Sequence, residues 1–159
     1  DFLKAWHKLQ RGSISSIRGI MMLDDIVGFI GEHEFLAFGF PYLKELYDVD
    51  ADIKLFHNDA DCKMSIKHYP DLGINLYNPG LDLSMNEMLL LTNNRMTILG
   101  NIPPRDVLAA GSPNDVAKAT KVMISNTNNH NRLMPSCGGG MPPKVPTENI
   151  KAFIEALKI

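Results

Sequence analysis

Short runs of consecutive apolar residues alternate along the chain with longer stretches in which apolar positions recur every three or four residues, and polar or glycine-bearing turns separate the two. A short continuous apolar run suits a strand buried on both faces, and the longer period suits an amphipathic helix. The alternation therefore predicts parallel βα units. Strands are expected at Ser16 to Leu23, Ile53 to His57, Ile74 to Asn78, Met96 to Asn101 and Arg132 to Ser136. Ser112 is a fitting N-cap with Pro113 at the first helical position, and the helix that follows is expected to turn Val116, Ala119, Val122 and Met123 toward a core. A last helix should begin near Thr147 and bury Ile150, Phe153, Ile154 and Leu157. The pattern from Glu32 to Asp48 is also helical, but Pro41 lacks a backbone donor, so a break near Gly39 and two separate pieces are expected.

Composition narrows the picture further. With 159 residues, 45% of them hydrophobic, one globular domain spanning residues 1–159 is expected. The formal net charge is −2 and no segment concentrates Lys and Arg, so nucleic acid is not an expected partner. No apolar run reaches the roughly 18 residues of a membrane span, and Asp1 to Trp6 lack the order of a signal peptide; a cytoplasmic protein with no membrane partner is expected. Because the chain opens on Asp1, residues preceding it are also expected. Cys62 and Cys137 are the two cysteines, 75 positions apart, and read as reduced thiols.

Several segments, in order, resemble the second half of the uroporphyrinogen decarboxylase superfamily, which includes decarboxylases and corrinoid-linked methyltransferases. They are Gly19-Ile20-Met21-Met22-Leu23-Asp24-Asp25, Phe56-His57-Asn58-Asp59, Gly73-Ile74-Asn75-Leu76-Tyr77-Asn78, Leu99-Gly100-Asn101-Ile102-Pro103 with Gly111-Ser112-Pro113, and Gly138-Gly139-Gly140-Met141-Pro142-Pro143 followed by Pro146-Thr147-Glu148-Asn149. The resemblance implies an α/β fold: a partial (β/α)8 TIM-type barrel supplying about the last five parallel strands, with the site at their carboxyl ends. The half barrel that would precede these strands, which in the decarboxylases supplies most substrate-gripping Arg and Asp, is not in this chain. An incomplete barrel leaves a strand edge and apolar surface open, so a homo-oligomer or association with the missing half barrel is expected.

The candidate chemistry lies in residues expected to share that rim. His57 and Asp59 should project to the same side of a strand end, with a spacing suited to two ligands of one metal. In the coenzyme M methyltransferases of the superfamily the corresponding pattern is His-x-Cys plus a later Cys, which bind zinc. Here Asp59 stands at the first Cys position and Gly139 at the second, so a zinc site would have to draw on His57, Asp59 and Cys137. The alternative is a strand-end His57 hydrogen-bonded to a neighbouring group.

Asp24 and Asp25 are candidates, with His57, for catalytic contact with a pterin or pyrrole nitrogen; otherwise one caps a turn and the other faces water. Asn78 and Asn101 offer amides to a substrate or serve as turn residues. Gly138, Gly139 and Gly140 offer backbone N–H groups or simply a positive-φ loop. His7, His33, His68 and His130 read as surface residues. The leading reading is transfer of a methyl group between a corrinoid (methylcobalamin) carried by a partner protein and a small-molecule acceptor, tetrahydrofolate or a thiol. The alternatives are a uroporphyrinogen decarboxylase, which needs no cofactor and whose glycine motif usually carries a His where Gly139 stands, and a fragment inert without its missing strands.

Overall fold

A computed structural model describes residues 1–158. Five strands, β1 (Gly19–Leu23), β2 (Ile53–Asn58), β3 (Leu76–Pro79), β4 (Thr97–Ile102) and β5 (Leu133–Cys137), form one sheet in the order β1-β2-β3-β4-β5. All four pairings are parallel. Parallel neighbours in chain order require a crossover after every strand, and the helical segments supply it. This is the open arc of a (β/α) barrel. The strands lie where the apolar pattern puts them; β2 starts at the expected Ile53, and the other four start one to three residues later than expected.

The helices are α1 (Phe2–Ser13), α2 (Glu32–Glu34), α3 (Phe40–Tyr47), α4 (Met85–Leu91), α5 (Pro113–Ser125) and α6 (Thr147–Ala156). Both α4 and α5 open on a reciprocal capping box, Ser84 with Glu87 and Ser112 with Asp115, which satisfies two otherwise unpaired backbone donors at each start. The expected break near Gly39 does not separate two pieces. Residues Phe35–Gly39 widen into a π turn that joins α2 to α3, and the Phe40 N–H reaches back to the Phe35 carbonyl. The wider turn accommodates Pro41 without ending the helical path.

Strand alternation divides the sheet into two unlike faces. Ile20, Phe56, Tyr77, Ile98, Ile102 and Cys137 lie under the helices and are buried. On the other face Met21, Leu23, Ile53 and Met134 are exposed. Under the helices Phe56 packs edge-on against Tyr69 at 5.0 Å, and Tyr69 against Tyr77 at 5.3 Å. Aromatic pairs in these arrangements add to the gain from burial itself. His68, expected at the surface, instead stacks on Phe35 and meets Glu32 Oε1 at 2.9 Å, tying the segment Ile66–Leu72 to α2.

Two helical faces differ from the periodicity. In α5 the buried residues are Val116, Thr120, Met123 and Ile124, and Val122 is exposed. In α6 Ile154 is exposed while Asn149 is buried, its amide donating to the carbonyls of Leu108 at 2.9 Å and Gly111 at 2.8 Å. An amide with two carbonyl partners can be buried at little cost, which rotates α6 away from the face its apolar residues suggest.

Candidate functional site

His57, the penultimate residue of β2, is in register with Leu23 of β1 and Asn78 of β3, so three strands deliver their carboxyl ends to one rim. Its ring lies on the open face and is 14% exposed. Nδ1 is 2.8 Å from Asn78 Oδ1, and Nε2 is 3.7 Å from Asp59 Oδ2. Asn78 also donates from Nδ2 to the Leu99 carbonyl at 2.7 Å. The amide therefore bridges neighbouring strands instead of serving a turn at Pro79-Gly80.

Asp24 acts as a cap: its Oδ1 accepts from the Ile26 N–H at 2.9 Å, while its own N–H donates to the His57 carbonyl at 3.1 Å. Asp25 reaches across to β2, and its Oδ1 accepts the Asp59 N–H at 2.8 Å. The two adjacent carboxylates thus have different tasks, one closing the loop after β1 and the other bracing the turn after β2. Asn58 completes that brace, its Oδ1 accepting from the Ala60 N–H at 2.7 Å.

The glycine loop is shaped around Asp59. Gly139 has φ +64°, and a Cβ there would fall 2.4 Å from Asp59 Oδ1. Gly80 is as confined, since a Cβ would lie 2.4 Å from the Asp59 carbonyl. Only glycine fits either approach without displacement. The Gly138 and Gly139 N–H groups donate to Ile102 at 3.0 Å and Pro79 at 3.2 Å, so they hold the loop to the sheet. No side chain would meet a Cβ at Gly140 within 4 Å. Asn101 donates its amide to the Gly80 carbonyl at 3.3 Å.

Cys137 falls one residue out of phase with the rim. It pairs in register with Ile102 on the helix-covered face, its Sγ 3.6 Å from the Gly139 carbonyl, and burial pushes its thiol above the ordinary range. Among the described residues no three His, Cys, Asp or Glu side chains come together as a metal cluster. The donors fit a zinc thiolate centre poorly: His57 and Asp59 face one another, and the nearest thiol is buried and held protonated. Ser136, which sequence reasoning passed over, is the β5 residue in phase with the rim, paired in register with Asn101. Counting strand parity back from the buried Cys137 would have found it.

A family model described as uroporphyrinogen decarboxylase (URO-D) matches residues 17–159. Two curated proteins named uroporphyrinogen decarboxylase, from Orientia tsutsugamushi strains Boryong and Ikeda, are each 24% identical over 119 residues, which is 75% of this chain and 31% of theirs. The chain thus spans about a third of the length of these relatives. Among solved structures, a methyltransferase from Methanosarcina mazei matches 89% of this chain and 42% of its own with a TM-score of 0.74 at 18% identity, a likeness of fold.

Proposed function

Since the chain belongs to the uroporphyrinogen decarboxylase family, we propose that the complete protein is a methyltransferase moving a methyl group from a corrinoid, held by a partner protein, to a small acceptor such as tetrahydrofolate or a thiol. The observation that carries this reading is the facing pair of His57 and Asp59, 3.7 Å apart on the open face. Two acceptors at that separation suit a group that arrives carrying a proton. As the acceptor takes the methyl group, the cobalt–carbon bond breaks with its electron pair staying on the corrinoid, and the acceptor's proton passes to His57. General base assistance of this kind contributes about 10² to 10⁴ in rate.

The charge of the rim supports this reading. Asp24, Asp25 and Asp59 crowd the loops after β1 and β2, and among the described residues none of them pairs with a Lys or Arg. A proton-donating acceptor would be held there. The donors at this rim fit a thiolate zinc site poorly, since His57 and Asp59 face one another and the Cys137 thiol lies under the helices.

The proposal is tested with the full-length protein, methylcobalamin and either tetrahydrofolate or a thiol, reading loss of the cobalt–carbon bond by absorbance and the methylated product by mass. His57→Ala should lower the rate by about 10² or more. Carbon dioxide released from uroporphyrinogen without methyl transfer would replace this reading with the decarboxylase. The exposed Met21, Leu23, Ile53 and Met134 support a further element of the proposal, that the chain works joined to additional strands or to a second copy. A monodisperse monomer of this chain in light scattering at low concentration would remove that element.

No helix among the described residues is long and apolar enough to cross a membrane.

A further inference from the structure

We infer that Asn78 is a positioning residue that fixes which nitrogen of His57 carries the proton, and that the site is thereby built to recognise a hydrogen-bond donor. The Leu99 carbonyl can only accept a hydrogen bond. It lies 2.7 Å from the Asn78 amide nitrogen, so the orientation of the amide is settled by chemistry and its Oδ1 must face His57. That oxygen has no proton to give and stands 2.8 Å from Nδ1. A neutral His57 ring therefore carries its proton on Nδ1, and Nε2 is left with its lone pair directed away from Asn78.

Asn78 is held firmly enough to impose this choice. It is 7% exposed, and its two bonds run to different strands, one on either side of β3. The same arrangement leaves Nε2 and the Asp59 carboxylate facing each other as two acceptors 3.7 Å apart, too far for a hydrogen bond between them. The Asp59 carboxylate is confined by Gly139 behind it, and its backbone N–H is anchored to Asp25. Two acceptors side by side are satisfied together by one incoming group that bears a hydrogen. The ligand class is therefore a protonated nitrogen, a thiol or a hydroxyl. A carboxylate or phosphate oxygen facing this pair would have nothing to offer it.

The catalytic consequence rests on the methyl-transfer reading, whereas the tautomer does not, and the experiment keeps them apart. The full-length protein is labelled with ¹⁵N-histidine, and long-range ¹H–¹⁵N spectra are recorded where the ring is neutral; His57→Gln identifies the signal. The wild-type spectrum should show Nδ1 protonated. Asn78→Leu should move the proton toward Nε2 and lower kcat by about 10² with little change in KM, while Asn78→Asp, which keeps an oxygen facing Nδ1, should retain the Nδ1–H form. A wild-type ring protonated on Nε2, or an unchanged tautomer in a folded Asn78→Leu, overturns the inference. The wild-type measurement alone decides should Asn78→Leu fail to fold. An Nδ1–H ring in a protein that transfers no methyl group would uphold Asn78's role and remove the methyltransferase reading.

Discussion

Under the helices the sheet presents Phe56, Tyr77, Ile98 and Ile102, and on its other side, in the same strands, His57, Asn78 and Leu99. On the covered side the aromatic rings of Phe56, Tyr69 and Tyr77 fill space and exclude water. On the other side His57 and Asn78 are buried only as far as their hydrogen bonds allow, beside apolar residues that remain exposed. One strand can serve both purposes because consecutive side chains point in opposite directions, so stability and chemistry are written on alternate residues. Changes one position apart should therefore have unlike effects.

The sharpest test of the contrast is Phe56→Ala against its neighbour His57→Ala. Removing the buried ring should cost about 3–5 kcal/mol in urea denaturation, through lost burial and the cavity left behind. His57→Ala should change stability far less while abolishing most activity; equal losses of stability would break the distinction between the faces. A smaller effect is expected at the glycine loop. Gly139→Ala should destabilise by about 1–3 kcal/mol, because a left-handed backbone and the Asp59 carboxylate both oppose a Cβ. Adding Asp59→Ala should restore part of that loss in a double-mutant cycle, and strict additivity would show that the two do not press on each other.

Smaller still is the helix layer. Ser112→Ala should lower Tm by about 2–4 °C in calorimetry through loss of the α5 cap. The hydroxyl and backbone of Ser112 hold the Asp115 carboxyl below its ordinary value, as those of Ser84 hold Glu87. A lowered carboxyl stabilises the fold above its unfolded pKa and loses that contribution as pH falls through its folded value, so the Ser112→Ala penalty should shrink in acid. The least change is expected from the thiols at neutral pH. Burial pushes Cys62 up to about 11 and Cys137 upward as well, so both should resist alkylation near pH 7. For a thiol whose folded value is raised, stability is intact below its unfolded value near 9 and declines as pH climbs toward 11, a loss that Cys62→Ser should reduce.

How much of this was legible beforehand differs from residue to residue. The β2 run of apolar residues closing on His57 marked both a strand and its chemical end, and Ser112-Pro113 marked a helix start, because each signal resides in a few adjacent residues. Asn78 was ambiguous: an asparagine before Pro79-Gly80 looks like a turn residue, and nothing local reveals that the Leu99 carbonyl, 21 positions later, will orient its amide. Cys137 looked near enough to His57 to share a metal, but strand parity turns it under the helices. His68 looked like a surface residue until Phe35 and Glu32, more than thirty positions earlier, enclosed it.

Legible in the residues alone are the parallel βα order, the five strands, the helix start at Ser112-Pro113 and the nearness of His57, Asp24, Asp25 and the glycine loop to strand ends. These depend on periodicity and capping, which act over a few residues. That Asp24 caps while Asp25 braces, that Asn78 holds His57, and that Gly139 makes way for Asp59 emerges only in the folded chain. Those pairings depend on which distant backbone atoms come within 3 Å of a side chain, and such distances exist only once the strands have lined up in register.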